Sequence, residues 1–167
     1  EKWSILLGGR LDKHNLINHV IFSPRANLRF NPSEDINLRL SYSSGFRAPQ
    51  AFDEDLHIEN VGGTVSMIER AKNLKEEKSQ SFSASADMYH RFGAFQVNFL
   101  VEGFYTRLSD VFVLENIGER DGILIKERRN GSGAKVLGLS MEGKMAYLSL
   151  FQLQAGVTLQ QSRYDEP

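Results

Sequence analysis

The chain has 167 residues, with 21 acidic and 20 basic side chains, a formal net charge of -1 and a pI of about 6.5. This balance gives no general attraction to nucleic acid. The absence of cysteine excludes a disulfide framework and thiolate metal sites. The mean hydropathy is -0.35, and no run approaches the roughly 18 consecutive apolar residues of a membrane helix. Helical membrane topology is therefore excluded, whereas a soluble domain and a membrane β-barrel both remain open.

Alternation of apolar and polar residues predicts about seven strands. In the third strand Ile36, Leu38 and Leu40 point one way, while Asn37 and Arg39 point the other. The predicted strands run over about Trp3–Asp12, Arg25–Asn31, Ile36–Ser43, Ser79–Arg91, Ala94–Glu115, Ile123–Tyr147 and Leu150–Tyr164.

Short and long connections alternate along the predicted strands. Pro32–Asp35 and Phe92–Gly93 suit tight turns, whereas Gly45–Lys78 is long and polar. Outer-membrane barrels have short periplasmic turns and long extracellular loops, so this asymmetry gives the chain a direction. We expect the fifth strand to run beyond membrane height and turn at Gly118–Gly122 as a projecting hairpin. The sixth should kink at Asn130–Gly133, where glycines suit a bulge.

The last predicted strand sets Leu153 and Val157 against a row of glutamines that includes Gln152 and Gln154. A packed soluble barrel would not place glutamines inside, but a hydrated lumen accommodates them, as does the outer surface of a soluble sandwich. Three tyrosines lie near strand ends, as the residues of an interfacial girdle would. They are Tyr42, Tyr105 and Tyr147.

Several motifs together resemble the barrel of TonB-dependent outer-membrane receptors, and the resemblance covers nearly the whole chain. Asn73–Ser79 (NLKEEKS) has Glu76 where proline is usual, and Asn130–Glu142 (NGSGAKVLGLSME) ends in Leu-Ser-Met-Glu. The other motifs are Ser23–Phe30 (SPRANLRF), Asn31–Asp35 (NPSED), Leu38–Tyr42 (LRLSY), Gly45–Pro49 (GFRAP) and Gly103–Asp110 (GFYTRLSD).

The resemblance implies an all-β fold of antiparallel up-and-down strands that form part of a transmembrane β-barrel. With about seven strands, the barrel would not be closed. We expect residues 1–167 to be a partial barrel domain, with the plug domain and the TonB-binding motif outside the chain. Since the chain starts inside a strand and stops in a loop at Tyr164–Pro167, we expect a fragment. In isolation such a fragment should oligomerise, need detergent or be partly disordered.

The resemblance also implies a function and a location in the bacterial outer membrane. Such receptors bind a scarce nutrient complex outside the cell, of the iron chelate, haem or cobalamin class. They release it to the periplasm when TonB, energised by the proton gradient, pulls on the plug. The expected partners are TonB, the plug domain, outer-membrane lipid and the small nutrient complex. A barrel wall performs no covalent chemistry, so we expect neither an enzyme nor a cofactor.

Five charged residues fall on the predicted lumen face, where they would hydrate the lumen and contact the plug. They are Arg29, Arg39, Glu102, Glu142 and Lys144.

The segment after the third strand holds the candidate ligand and metal residues. Phe46, Arg47 and Phe52 could contact the substrate, or they could shape the root of the loop. An acidic run with one histidine could bind a divalent metal or a cationic ligand, although acidic loop residues are commonly only solvated. The Ca²⁺-loop pattern fails because Ile58 stands where glycine is required. The residues of this run are Asp53, Asp55, His57 and Glu59.

Rival functions remain open at the level of sequence. The chain contains no Gly-x-Ser-x-Gly elbow and no His-Glu-x-x-His pair, and its four histidines are scattered. A passive outer-membrane porin would share the strand pattern but lack a plug. A soluble β-barrel or sandwich module that binds a ligand would turn the apolar faces inward.

Overall fold

The structure is a computed structural model that describes residues 2–49 and 66–165. These residues form ten β-strands and no helix. The strands are β1 (Trp3–Asp12), β2 (Ile21–Ser33), β3 (Ile36–Arg47), β4 (Ser66–Arg70), β5 (Glu77–Phe92), β6 (Phe95–Ser109), β7 (Phe112–Arg120), β8 (Ile123–Asn130), β9 (Ala134–Tyr147) and β10 (Phe151–Tyr164). None of the described residues belongs to a helix that is long and apolar enough to cross a membrane.

Seven of the strands form one antiparallel sheet in the order β1-β2-β3-β5-β6-β9-β10. Each strand lies beside the next one along the chain, with β4 and the β7–β8 pair inserted in the connections. Within the described residues the outer strands β1 and β10 pair on one side only, so the sheet is open. The prediction of an all-β, up-and-down sheet that does not close is confirmed.

The three remaining strands form a small separate sheet in the order β4-β8-β7. A hairpin joins β7 to β8 at Asp121 and Gly122, whose φ angles are 54° and 77°. Positive φ at both central residues is the geometry of the mirror-image turns that match the twist of a hairpin. β4 pairs with β8 in parallel, which is possible because a long connection separates them.

The prediction that the fifth strand runs on without a break is wrong, whereas the predicted interruption of the sixth strand at Asn130–Gly133 is confirmed. The fifth divides into β6 and β7 at Asp110, whose φ of 55° lies in the left-handed region and interrupts the pleat. The sixth divides into β8 and β9 around Gly133, where a Cβ atom would lie only 2.6 Å from the Leu108 carbonyl oxygen. The projecting hairpin itself is present, but it belongs to the small sheet.

The large sheet has one apolar and one polar face. Leu28, Leu40, Ala84, Gly103 and Leu139 share one register row of the apolar face. This face has no covering layer, since many of its large side chains are half exposed or more, as with Leu7 at 73% and Leu159 at 62%. An uncovered apolar face of this extent calls for a lipid or protein partner.

Buried apolar side chains are correspondingly few and lie away from the sheet centre. Among the described residues they are Ile17, Ile21, Ile125 and Ala134. No described side chain is less than 2% exposed, so the large sheet lacks the packed core of a soluble domain.

Candidate functional site: the lumen face and the loop roots

The polar face of the large sheet carries all five predicted lumen residues. Arg29 on β2 pairs with Arg39 on β3, and the same row continues through Ser85 to Glu102 on β6. The next rows toward the short turns hold the other two predicted residues, Glu142 and Lys144 on β9. This face also bears a dense set of serine, threonine and glutamine side chains, which suits contact with water.

Two of the five predicted lumen residues neutralise each other. Lys144 Nζ lies 2.8 Å from Glu142 Oε1. Arg39 Nε donates to Asn37 Oδ1 at 2.8 Å, and Asn37 in turn donates to Asn31 at the same distance. These contacts order the side chains of the lumen face along β2 and β3.

Arg29 and Arg39 lie directly opposite each other without a carboxylate partner in the described part of the chain. Two like charges facing each other across strands destabilise a sheet unless a counter-charge is supplied. Glu102 lies in the same row, two strands beyond Arg39, and it likewise forms no ion pair within residues 2–49 and 66–165. The polar face therefore has charged groups that remain open to a partner.

At the long-loop end, the Asn130 amide joins three segments that are distant in sequence. Its Nδ2 donates to the Lys75 carbonyl at 3.0 Å and to the Asp110 carbonyl at 2.8 Å, and its Oδ1 accepts from the Lys75 amide at 2.7 Å. Lys75, Asp110 and Asn130 each belong to a different motif of the sequence. These motifs meet at one side chain that fixes the roots of the loops.

The Gly45–Pro49 corner holds a second contact between loop roots. The Arg47 guanidinium lies 5.5 Å from the centre of the Phe112 ring, within the range of a cation–π interaction. Glu77, which pairs with Arg47 in the sheet, accepts from the Phe112 amide at 3.1 Å. Phe46 lies near a cation in the same way, with the Arg10 guanidinium 5.9 Å from its ring centre. Arg47 and Phe46 thus both contact neighbouring strands or loops.

A third contact fixes the connection between β1 and β2. The buried Glu76 carboxylate lies 3.0 Å from His19 Nε2 and 3.1 Å from Lys78 Nζ. Burial raises the pKa of the Glu76 carboxyl, but hydrogen bonds from its own backbone, Lys78 and His19 outweigh burial and lower this pKa below its usual range. Glu76 lies before β5, outside the membrane-spanning strands. It therefore acts as an ionised anchor for His19.

A polar cavity of about 490 Å³ lies beside these roots, between β8 and the segment before β5. Its wall includes Lys75, Asp110, Glu127 and Arg129, so it presents both signs of charge. The Arg129 guanidinium also forms an ion pair with the carboxylate of Glu115 on β7, at an N–O distance of 3.0 Å. The small sheet thus forms one wall of this polar cavity, at the long-loop end of the large sheet.

The remaining candidates lie outside the described residues. They are Phe52 and the acidic run Asp53, Asp55, His57 and Glu59. Among residues 2–49 and 66–165, no three histidine, aspartate or glutamate side chains come together as a metal site.

Sequence reasoning missed the roles of Asn130, Glu76 and His19. The Asn130 motif was recognised, but its partners are backbone atoms 55 and 20 positions away, which no local pattern reveals. The unusual glutamate at position 76 was a usable signal, since a carboxylate that replaces proline at a loop root needs a partner.

Comparison with known proteins agrees with this architecture. The chain is similar to the siderophore receptor PirA from Pseudomonas aeruginosa, with 18% identity and a TM-score of 0.77 over 98% of this chain and 32% of that one. It is similar to the alcaligin outer membrane receptor FauA from Bordetella pertussis, with 18% identity and a TM-score of 0.63 over 98% of this chain and 28% of that one. The FrpB iron transporter from Neisseria meningitidis (F3-3 variant) gives 18% identity and a TM-score of 0.62 over 87% of this chain and 20% of that one.

The chain spans about a third or less of the length of these structures. No curated protein sequence matches it. The family model described as "TonB dependent receptor-like, beta-barrel" matches residues 1–167. The chain therefore belongs to the family of TonB-dependent receptor-like β-barrels.

Proposed function

We propose that this chain forms part of the barrel wall of an active transporter in the bacterial outer membrane, energised through TonB. The observation that carries the proposal is the two-faced open sheet. One face is apolar and uncovered, and the other is polar with charged groups open to a partner. A sheet of this kind suits a wall between lipid and an aqueous lumen.

The substrate in this proposal is a small nutrient complex of the iron-chelate class. Support comes from the structures that the chain resembles, which are named as an iron transporter, a siderophore receptor and an alcaligin receptor. Haem and cobalamin complexes belong to the same broad class of scarce nutrients. We infer that the substrate is contacted at the long-loop end, where Phe46 and Arg47 lie at the loop roots.

A plug domain is the proposed partner of the lumen face. Arg29 and Arg39 face each other without a carboxylate partner in the described part of the chain, so an acidic surface on the plug would relieve their repulsion. Glu102 would pair with a basic group of the plug, while Glu142 and Lys144 neutralise each other. In this proposal the barrel wall binds and positions the plug and hydrates the lumen, and it performs no covalent step.

Uptake by the full-length receptor tests this proposal. The receptor that contains this segment is expressed in cells with and without TonB, and the import of radiolabelled ferric siderophore is measured. We expect import only where TonB and the proton gradient are both present. Import of the chelate that continues without TonB would contradict active transport and would favour a passive channel.

A further inference from the structure

One dipeptide at the long-loop end carries a chemical reactivity that the transport function does not use. Asn130–Gly131 is the only asparagine–glycine pair of the chain. Glycine has no Cβ atom, so its backbone nitrogen is less hindered than that of any other residue toward the side chain before it. Asparagine is a thermolabile residue, and a following glycine leaves it least protected. The loop root that Asn130 holds together is therefore built on a reactive pair.

The reaction of such a pair needs no reagent other than water. The Gly131 nitrogen attacks Asn130 Cγ and forms a new C–N bond, which closes a cyclic imide. The bond from Cγ to Nδ2 breaks, and Nδ2 leaves as ammonia with the proton that the glycine nitrogen has lost. Water then adds to either imide carbonyl and opens the ring. The product at position 130 is aspartate or isoaspartate, so water is consumed and ammonia is released overall.

The closed loop roots hold both reacting groups away from this path. The Gly131 amide donates to the Val111 carbonyl at 2.7 Å, so the attacking nitrogen is already engaged. Nδ2 of Asn130 donates to the Lys75 carbonyl at 3.0 Å and to the Asp110 carbonyl at 2.8 Å, so the leaving group is engaged as well. Closing the imide turns the side chain away from these partners. The roots must therefore open locally before the pair can react.

Water has a route to the pair. Asn130 forms part of the wall of the polar cavity of about 490 Å³, together with Asp110 and Glu127. A polar cavity of this size has ample room for water molecules. The hydrogen bonds of the loop roots, rather than access of water, therefore limit the reaction.

Conversion would prevent the roots from closing again. A carboxylate only accepts hydrogen bonds, so aspartate at position 130 would set an oxygen against the Lys75 and Asp110 carbonyls that Nδ2 contacts. Acceptors that face each other without a donor are unfavourable. Isoaspartate would also add a methylene group to the main chain beside Gly131, where a Cβ atom would lie only 2.8 Å from Val113 Cγ1.

The hairpin between β7 and β8 offers a comparison site without this protection. Its turn, Asp121–Gly122, is exposed, and the Asp121 side chain forms no hydrogen bond or ion pair within residues 2–49 and 66–165. A Cβ atom on Gly122 would meet nothing within 4 Å. The substitution Asp121→Asn gives this turn the same dipeptide, and an arginine precedes both sites, Arg120 here and Arg129 before Asn130. The two sites then differ mainly in what the fold does to them.

We propose that Asn130–Gly131 is a deamidation site that reacts only when the loop roots open. Closed roots keep the asparagine intact. Opened roots convert it to aspartate or isoaspartate, which then keeps the roots open. The site thus records irreversibly that the loop roots have opened. This inference goes beyond the proposed transport function and depends on no particular substrate.

The test uses the full-length receptor with the substitution Asp121→Asn, in detergent micelles at mildly alkaline pH. Peptide mass spectrometry follows deamidation at positions 121 and 130 of the same molecules over time. In the folded receptor we expect position 121 to deamidate about tenfold faster or more, because position 130 reacts only from the opened state. After unfolding in urea the two positions should deamidate at similar rates. Equal rates in the folded receptor, or a difference that persists after unfolding, would overturn the proposal.

A second arm tests what the modification does to the roots. The substitution Asn130→Asp reproduces the product, and we expect protease cleavage within residues 71–75 to become about tenfold faster. Asn116→Asp is the matched control, since Asn116 only accepts a hydrogen bond, from the Gly118 amide at 3.2 Å, and a carboxylate can do the same. Folding of each variant is checked by its heat-modifiable mobility on electrophoresis. Cleavage of Asn130→Asp at the rate of Asn116→Asp would refute the claim that deamidation keeps the roots open.

Discussion

At the scale of single residues, side chains at the long-loop end hold the loop roots together. Asn130 satisfies backbone groups of Lys75 and Asp110, and Glu76 anchors His19 and Lys78. These contacts connect segments that lie far apart in the sequence. The shape of the long-loop end therefore depends on a few polar side chains rather than on a packed core.

The Asn130 contacts give a direct prediction for the stability of the loop roots. The substitution Asn130→Ala leaves the Lys75 and Asp110 backbone groups without their partner, which should lower the free energy of unfolding by about 1 to 3 kcal/mol. Urea unfolding of the full-length receptor in micelles measures this change. The control Asn116→Ala removes a single exposed contact, from the Gly118 amide at 3.2 Å, and should change little. Equal effects of the two substitutions would contradict the role of Asn130.

The lowered pKa of Glu76 predicts that the stability of the connection between β1 and β2 depends on pH. Its carboxyl has a lowered pKa in the folded state, so its stabilising contribution is complete above the ordinary pKa of about 4.5. The contribution declines as the pH falls from that value through the lowered folded-state pKa. Protease cleavage within residues 13–20 should therefore rise with acidity in the wild type.

The variant Glu76→Gln should be cleaved readily even at neutral pH and should lose this part of the pH dependence. Glu34→Gln, at an exposed turn on the opposite end of the sheet, should behave as the wild type does. A pH profile that is unchanged in Glu76→Gln would refute the anchor.

At the scale of strands, alternation predicted the large sheet well. The bounds of β1 are those predicted, and β10 starts one residue later than predicted, because a surface with one apolar and one polar face imposes a strict period of two. The small sheet was not predicted as such. β4 is only five residues long, and its partner β8 lies more than fifty positions away, so its pairing leaves no local pattern. The placement of the five charged residues on one polar face followed from alternation, whereas the loop-root contacts needed the tertiary structure.

The close backbone approach at the break between β8 and β9 predicts that alanine substitutions at two glycines differ sharply in their effect on stability. A Cβ atom at Gly133 would lie 2.6 Å from the Leu108 backbone oxygen, whereas at Gly103 it would meet nothing within 4 Å. We expect Gly133→Ala to lower the free energy of unfolding by about 1 to 3 kcal/mol and Gly103→Ala to leave it unchanged or raised. Urea unfolding in micelles measures both changes. A larger loss of unfolding free energy from Gly103→Ala than from Gly133→Ala would contradict the close approach of the Leu108 carbonyl to Gly133.

At the scale of the whole molecule, an open sheet with no packed core belongs to a larger assembly. Its apolar face is uncovered, its polar face has charges open to a partner, and its edges β1 and β10 can each accept another strand. The match to a TonB-dependent receptor-like barrel family accounts for the open edges and both faces together. The central claim is that the apolar face of this sheet lies against lipid.

Two neighbouring residues of β6 test that claim most directly, since Phe99 belongs to the apolar face and Leu100 to the lumen face. Both are large and apolar, and both lie midway between the aromatic rows. The measurement is the folding of each full-length variant into lipid bilayers, followed by urea titration. We predict that Phe99→Arg lowers the free energy of unfolding by about 2 to 4 kcal/mol, the cost of a basic residue at the bilayer midplane, while Leu100→Arg stays near the wild type. A larger loss from Leu100→Arg than from Phe99→Arg would reverse the two faces and contradict the account.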